Sequence, residues 1–452
     1  MKIVVLDDDP TGSQTVYGCP LILRWDQKTL SKAIRDQSPL LFILSNTRAM
    51  SPELAEDRTR EICRALNDAF SYENINIRDV LFISRGDSTL RGHGVIEPDV
   101  IAEELGPFDG TFHVPMFFEG GRTTVHGIHL LNGTPVHLSN FARDKLFGYN
   151  TSYLPAWLQE KSKGRILADE VISIEIEQLN SALKSEHGKQ KLIDTLLNIS
   201  NNQSVVVDSQ IPPQLSIFAQ AIMELIGKKR FLFRSAASLI NAFADLPVNK
   251  YSINDLVSLR VRDKYFQLQP GLVIVGSHVS LADKQLAVLL GEKNCQGLEL
   301  PVRKIFRGFD GSIPDLLMSD LENLWVEELT AILESGMTPV LYTSRGEITF
   351  SSDKTRIIFG LKLAELMARL VSRISSKLGY IISKGGITTQ ILLDQGLKLG
   401  AVQLKGQILP GLSIVCSAAN SGTNGLPVIT FPGNLGDKNT LLKSWKLMEK
   451  LI

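Results

Sequence analysis

Three aspartates in a row, Asp7, Asp8 and Asp9, follow the apolar run Ile3 to Leu6 and lead into Pro10-Thr11-Gly12-Ser13. Clustered carboxylates repel and raise one another's pKa. A capped turn, with Asp9 or Thr11 as N-cap, needs one acid and not three. At a strand end such a group can accept a substrate proton, bind a metal or hold sugar hydroxyls. A second polar loop, 84–94, also follows an apolar run and offers Arg85, Asp87, Ser88, Thr89 and Arg91 within one turn. Two guanidiniums beside a carboxylate and two hydroxyls suit a polyhydroxy acid: arginine grips the acid group bidentately, and Asp87 and Ser88 read hydroxyls. A salt-bridged surface turn is the plainer reading of the same residues. A third loop, 114–136, sets Gly120-Gly121 before Arg122-Thr123-Thr124, which allows close backbone approach to an anion. His126 and His129 in that loop are three apart, a spacing open to a metal pair or to two hydrogen-bonding histidines, and no metal is assigned.

In the second half, glycines gather at three strand ends: Gly276-Ser277, Gly385-Gly386 with Thr388 and Thr389, and Gly433 with Gly436. Backbone amides at such turns are ready phosphate holders. Neither a GxxxxGK[ST] loop nor a strand-linked GxGxxG occurs, so a P-loop and a Rossmann dinucleotide site are unsupported.

Short β-branched runs alternate with helical patterns and must carry these loops. Strands are expected at 2–6, 40–44, 80–84, 111–115, 204–208 and 230–233, with helices at 51–70 and near 214–226. Near-continuous apolar strands, each followed by a helix, predict a parallel sheet covered on both faces, with ligands beyond the carboxyl ends of the strands. A second α/β series begins at 271–280 and continues through 338–345, a long helix over 356–378, 380–389 and 426–436. The fold class is thus α/β with two domains, each a largely parallel sheet flanked by helices. The domains are placed at 1–243 and 271–452. Residues 244–270, charged and without clean periodicity, form the connection. A chain of 452 residues fits two cores of about 200 residues better than one.

Lys plus Arg equals Asp plus Glu at 48 each, so no nucleic-acid footprint is expected, and a small-molecule partner is the default. Cys19, Cys63, Cys295 and Cys416 are far apart and read as buried thiols in a reducing compartment. No apolar run approaches the ~18 residues that span a bilayer. The first residues do not form a signal peptide. A cytoplasmic location is expected, and a homo-oligomer is compatible with all of this.

Together the loops resemble the four-carbon acid sugar kinases, ATP-dependent enzymes acting on threonate, erythronate and related oxo-tetronates. The family's "DDxTG" matches Asp8, Asp9, Thr11 and Gly12; its "DSTLRG" stands intact as Asp87 to Gly92; its "GRTT" matches Gly121 to Thr124. Thr47-Arg48 resembles a further family feature. The "GS", "GG-x-T" and "GN-x-G" pieces match Gly276-Ser277, Gly385-Gly386-Ile387-Thr388 and Gly433-Asn434-Leu435-Gly436. The resemblance covers nearly the whole chain in order.

It implies a sugar-acid domain, a domain binding ATP with Mg²⁺, and a site in the cleft between. Asp8 or Asp9 would then take the proton of the attacking hydroxyl. Thr11, Arg48, Arg85, Asp87, Ser88, Arg91 and Arg122 would surround the acid substrate, with Arg85, Arg91 or Arg122 on its carboxylate or on the transferring phosphate. Gly276, Ser277, Gly385, Gly386, Thr388, Gly433, Asn434 and Gly436 would hold the nucleotide. Three positions depart from the family pattern: Ile387 fills the acid's place in "GGDT", Phe431-Pro432 stand where a lysine is frequent, and Ala282 replaces a Thr. A non-catalytic nucleotide- or metabolite-binding relative is therefore an alternative. Asp7-x-Asp9-x-Thr11 also resembles the first motif of haloacid-dehalogenase-like phosphatases, with Asp7 as nucleophile and Asp9 as acid/base.

Overall fold

The computed structural model describes residues 1–9, 16–244, 252–309, 315–345, 350, 353–417 and 425–451. The chain divides into two compact units, Met1–Val248 and Asn249–Ile452.

The strands of the first unit are β1 (Lys2–Asp7), β2 (Pro20–Ile22), β3 (Leu40–Leu44), β4 (Val80–Arg85), β5 (Gly110–Val114), β6 (Arg122–Val125), β7 (Ile128–Leu131), β8 (Thr134–Pro135), β9 (Ile172–Ile174), β10 (Gln203–Val207) and β11 (Phe231–Ser235). Its main sheet runs β2-β3-β1-β4-β11-β5-β10-β9, and every pairing in it is parallel. β3, β5 and β11 are buried along their whole length, and β3 reads accordingly as an unbroken apolar run. Phe112 of β5 stacks on Phe233 of β11 and meets Phe218 of a covering helix, which fills the core. The helix Pro52–Tyr72 shows how the flanking layer is specified. Ser51 caps it by accepting from Leu54 N, proline stands in its first turn, and Ala55, Thr59, Ile62, Cys63, Leu66 and Phe70 form one buried stripe.

β1 sits between β3 on one side and β4 on the other, so the order reverses there. The crevice outside the carboxyl ends of strands at such a reversal is where ligands bind in open α/β sheets. The acid loop leaves β1 at that point.

The second unit has β12 (Gly271–Val275), β13 (Cys295–Leu300), β14 (Thr338–Thr343), β15 (Tyr380–Lys384), β16 (Ala401–Leu409), β17 (Leu412–Ser417) and β18 (Pro427–Phe431). They run β13-β14-β12-β15-β18-β17-β16, parallel up to β18 and antiparallel for the last two.

Two features were not expected from the sequence. Residues 122–135 form a small antiparallel sheet, β6-β7-β8, where a loop was read. The hairpin β16–β17 was also missed: β16 alternates buried and half-buried positions, and its Lys and Gln residues hide the strand in a scan for continuous apolar runs. Within 244–270, the helix Ile253–Ser258 buries Leu256 and Val257 in the core of the second unit. Residues 245–251 lie outside the described residues.

Candidate functional site

Asp7, Asp8 and Asp9 leave β1 in three different environments. Asp7 is buried; Arg85 Nη1 donates to its Oδ1 at 3.0 Å, and its Oδ2 has no partner. Burial pushes its carboxyl up to about 7, against the pull of Arg85. Asp8 is fully buried and held by one arginine: Arg48 Nη2 donates to Oδ1 at 2.5 Å and Nε to Oδ2 at 3.3 Å. Arg234 Nη2 stands 3.6 Å from the same Oδ2. Burial raises the Asp8 pKa, with Arg48 and Arg234 opposing it. Asp9 is the accessible acid. Its side chain is 25% exposed, and Arg48 Nη1 donates to its Oδ2 at 2.9 Å. One guanidinium thus bridges two neighbouring carboxylates. Arg48 comes from the short turn Thr47–Ala49 after β3, entered through Asn46 in the left-handed region, and its own N–H donates to the Asp8 carbonyl. Thr11 lies outside the described residues.

The 84–94 loop follows β4, beside β1. Asp87 Oδ2 accepts from Arg91 Nε at 2.6 Å and from the Thr89 hydroxyl. Burial alone would raise the Asp87 carboxyl; Arg48, Arg91 and Thr89 overrule it and hold it below the usual range. The Ser88 carbonyl accepts from His129 Nε2 at 2.8 Å, and the Thr89 carbonyl from Tyr149 Oη at 2.7 Å. His129 therefore carries its proton on Nε2, and Nδ1 accepts from the Thr124 hydroxyl at 2.9 Å. Both ring nitrogens are engaged and burial holds the ring neutral, down to about 4. That excludes His129 from the metal pair its spacing allowed. Gly92 closes the loop at φ +94°, and a Cβ there would stand 2.9 Å from Asp8 Oδ2. The glycine lets the loop lie directly on the buried acid.

Arg122 opens β6. Its Nη1 donates to the Gly120 carbonyl and its Nε is buried without a partner. Arg48, Arg85, Arg91 and Arg234 are each paired with a carboxylate. Arg122 has no such partner among the described residues.

Sequence reasoning missed Glu97 and Arg234. Arg234, on β11 beside β4, donates through Nη1 to Glu97 and to Ser84 Oγ at 2.7 Å. Glu97 also accepts from Thr47 Oγ1. The pair ties the strand ends of β4 and β11 to the Arg48 turn and to Asp8. A charge inside the apolar run Phe231-Leu232-Phe233-Arg234 was the available signal, because a buried arginine demands a partner. Beneath the loop is a cavity of about 30 Å³ lined by Asp87, Arg91, His113, Trp157 and Arg234.

In the second unit the three glycine turns follow the adjacent strands β12, β15 and β18 and meet. A Cβ on Gly276 would lie 2.1 Å from Thr388 Oγ1, and one on Gly433 2.8 Å from Ser277 Oγ. Gly385 takes φ +122° with Ser277 N beside it. Gly386 opens the helix Gly386–Ile391, with Ile387 exposed and Thr388 buried. Asn434 is exposed and Gly436 takes φ +80°. Two cations that no motif named stand here. Lys384, at the end of β15, is buried. Arg345, after β14, donates to the Ser277 carbonyl at 2.7 Å and pairs with Asp283 at 3.1 Å, while its Nε and Nη2 have no partner.

Two family models match the chain. Residues 3–243 match the family model for a sugar-binding N-terminal domain, and residues 272–441 that for a nucleotide-binding C-terminal domain. The chain belongs to the four-carbon acid sugar kinase family. This family member is 24% identical over 378 residues to a D-threonate kinase of Cupriavidus necator, covering 80% of this chain and 78% of that one. It is 32% identical over 151 residues to a D-erythronate kinase of Heliobacterium modesticaldum, a match spanning 32% of either protein. Its fold is that of a Haemophilus influenzae protein of the DUF1537 family (TM-score 0.65, 14% identity, 99% of both chains). A structure from Salmonella typhimurium LT2 gives a TM-score of 0.68 at 15% identity over 98% of both chains. No helix among the described residues is long and apolar enough to cross a membrane.

Proposed function

We propose that this protein is an ATP-dependent kinase that phosphorylates a hydroxyl of a small sugar acid of the threonate and erythronate class. The observation that carries the proposal is the arrangement around β1. An accessible carboxylate, Asp9, is fixed by the arginine that also holds Asp8, and Arg122, a cation with no carboxylate partner among the described residues, stands on the neighbouring loops. Substrate names come from the relatives, which are D-threonate and D-erythronate kinases.

The roles divide by accessibility. Asp8 has both oxygens bound and no exposure, so it anchors Arg48. Asp9, partly exposed, accepts the proton of the attacking hydroxyl. Arg48 fixes that carboxylate in place. Arg122 takes the substrate carboxylate, with Arg91 beside the hydroxyls read by Asp87 and Ser88. Mg·ATP enters as the second substrate on the turns of Gly276-Ser277, Gly385-Gly386-Thr388 and Gly433 to Gly436. Those turns fit phosphate because their close packing leaves backbone amides and small side chains as the lining. Phosphoryl transfer then needs mainly positioning and charge neutralisation. Burial of Asp7, with Arg85 on it, weighs against Asp7 as a phosphatase nucleophile.

Asp9→Asn tests the assignment. General-base help is worth about 10²–10⁴-fold, so turnover in a coupled ADP-release assay on D-threonate or D-erythronate falls at least about 100-fold while the melting temperature holds. An Asn variant with wild-type turnover removes Asp9 from the reaction.

A further inference from the structure

We propose that Lys384 is a positioning residue for the nucleotide: it sets the turn after β18 as an amide cradle for phosphate, and it takes up a proton when phosphate binds. The inference rests on the proposed nucleotide-binding reading of the second unit.

Lys384 ends β15 in register with Val275 on one side and Phe431 on the other. Its Nζ donates to two consecutive backbone carbonyls, Pro432 at 3.0 Å and Gly433 at 3.1 Å, and lies 4.0 Å from the centre of the Phe431 ring. In a trans peptide the C=O and the following N–H point in opposite directions. Two carbonyls turned inward onto one ammonium therefore turn the N–H groups of Gly433 and Asn434 outward. Gln285, fully buried, does the same further along by donating to the carbonyls of Leu435 at 3.0 Å and Asp437 at 2.6 Å. The first of these turns the Gly436 N–H outward as well. None of the three N–H groups has a partner among the described residues. Successive outward amides form an anion-binding concavity, and a cation lies directly beneath this one.

The same packing makes the cation responsive. Lys384 pairs with no carboxylate among the described residues, and burial alone pushes its ammonium down to about 7. The charged groups around the cradle are occupied elsewhere. Arg345 pairs with Asp283, His278 Nε2 meets Thr343 Oγ1, and Asp437 accepts from Asn439 N and Thr440 Oγ1. The free protein near neutral pH thus holds Lys384 partly uncharged. Phosphate on the other side of the turn favours the charged form, and the proton comes from the buffer.

Calorimetric titration of the full chain with Mg·ADP, repeated at pH 8 in buffers of different ionisation enthalpy, reads this directly. ADP is fully ionised there, so wild type takes up roughly one proton per nucleotide bound. Affinity weakens by up to about tenfold per pH unit above pH 7. Lys384→Met keeps a long side chain against Phe431 but removes the donor to the Pro432 and Gly433 carbonyls, so its melting temperature is recorded beside the titration. It binds ADP at least about tenfold more weakly at pH 7 and takes up no proton. A merely structural lysine would not alter proton uptake. Wild-type binding without proton uptake, or a Lys384→Met variant with unchanged affinity and uptake, overturns the inference alone. A wild type that binds no nucleotide overturns the nucleotide reading and the inference with it.

Discussion

Removing one member of the Glu97–Arg234 pair should cost far more than an ordinary ion pair. Glu97 is 3% exposed and Arg234 7%, so the small value of surface pairs, about 0–1 kcal/mol, does not apply. Breaking a buried pair leaves an uncompensated charge and costs about 3–5 kcal/mol. Glu97→Ala strands Arg234 with Asp8 at 3.6 Å as its remaining acid, and frees Thr47 and Ser84 of their shared acceptor. For a unit of about 250 residues, 1 kcal/mol moves the melting temperature by roughly 2 °C. The first unit of Glu97→Ala should therefore melt about 6–10 °C lower. The double variant Glu97→Met with Arg234→Met replaces both charges by apolar chains and should recover most of the loss, because a neutral replacement of a buried pair is often harmless to stability. Turnover should stay depressed in the double variant, since Asp8 and the Arg48 turn lose their brace. Differential scanning calorimetry of the three proteins beside an ADP-release assay provides both readings. A single variant that melts within 2 °C of wild type, or a double variant melting no higher than Glu97→Ala, refutes the argument.

Further outcomes follow from the same geometry. Arg122→Met removes a cation that has no carboxylate partner among the described residues, and KM for the acid substrate should rise about tenfold or more with the KM for ATP unchanged; an unchanged acid KM excludes it from the carboxylate grip. Gly92→Ala places a Cβ 2.9 Å from Asp8 Oδ2 at a φ of +94°, and turnover should fall at least tenfold, as steady-state assay would show, by about 1–3 kcal/mol of strain at the acid. Asp7 has a folded-state pKa of about 7 against an ordinary 3.8. The folded protein therefore binds more protons than the unfolded one between those values, and stability falls as pH rises from about 4 to 7. Asp7→Asn should flatten that slope in urea denaturation at stepped pH; a slope equal to wild type means Asp7 does not titrate there.

The parallel strands were legible because burial on both faces writes them as unbroken apolar runs, as at Leu40–Leu44. The polar loops were legible because they interrupt such runs at the carboxyl end. β16 was not, since its outward positions carry Lys405 and Gln407 and its partner β17 is reached by a short turn. The sequence brought Asp7, Asp8 and Asp9 forward as equals; burial and the two hands of Arg48 separate them, and spacing alone cannot state which oxygen stays accessible. Glu97 and Arg234 lie 137 positions apart, so their partnership depends on how the helix Ile96–Leu105 packs over the end of β11. Lys384 was hidden for a related reason. The family pattern places a lysine in the chain beside Phe431, and here one stands opposite Phe431 on the neighbouring strand.

The central claim is phosphoryl transfer from ATP to a sugar acid, and ³¹P NMR of the purified protein with Mg·ATP and D-threonate or D-erythronate tests it most directly. The account predicts loss of the γ-phosphate resonance with matching growth of a phosphomonoester on the acid, dependent on the acid and abolished in Asp9→Asn. Inorganic phosphate as the sole product, or an unchanged ATP spectrum with both acids, would contradict it.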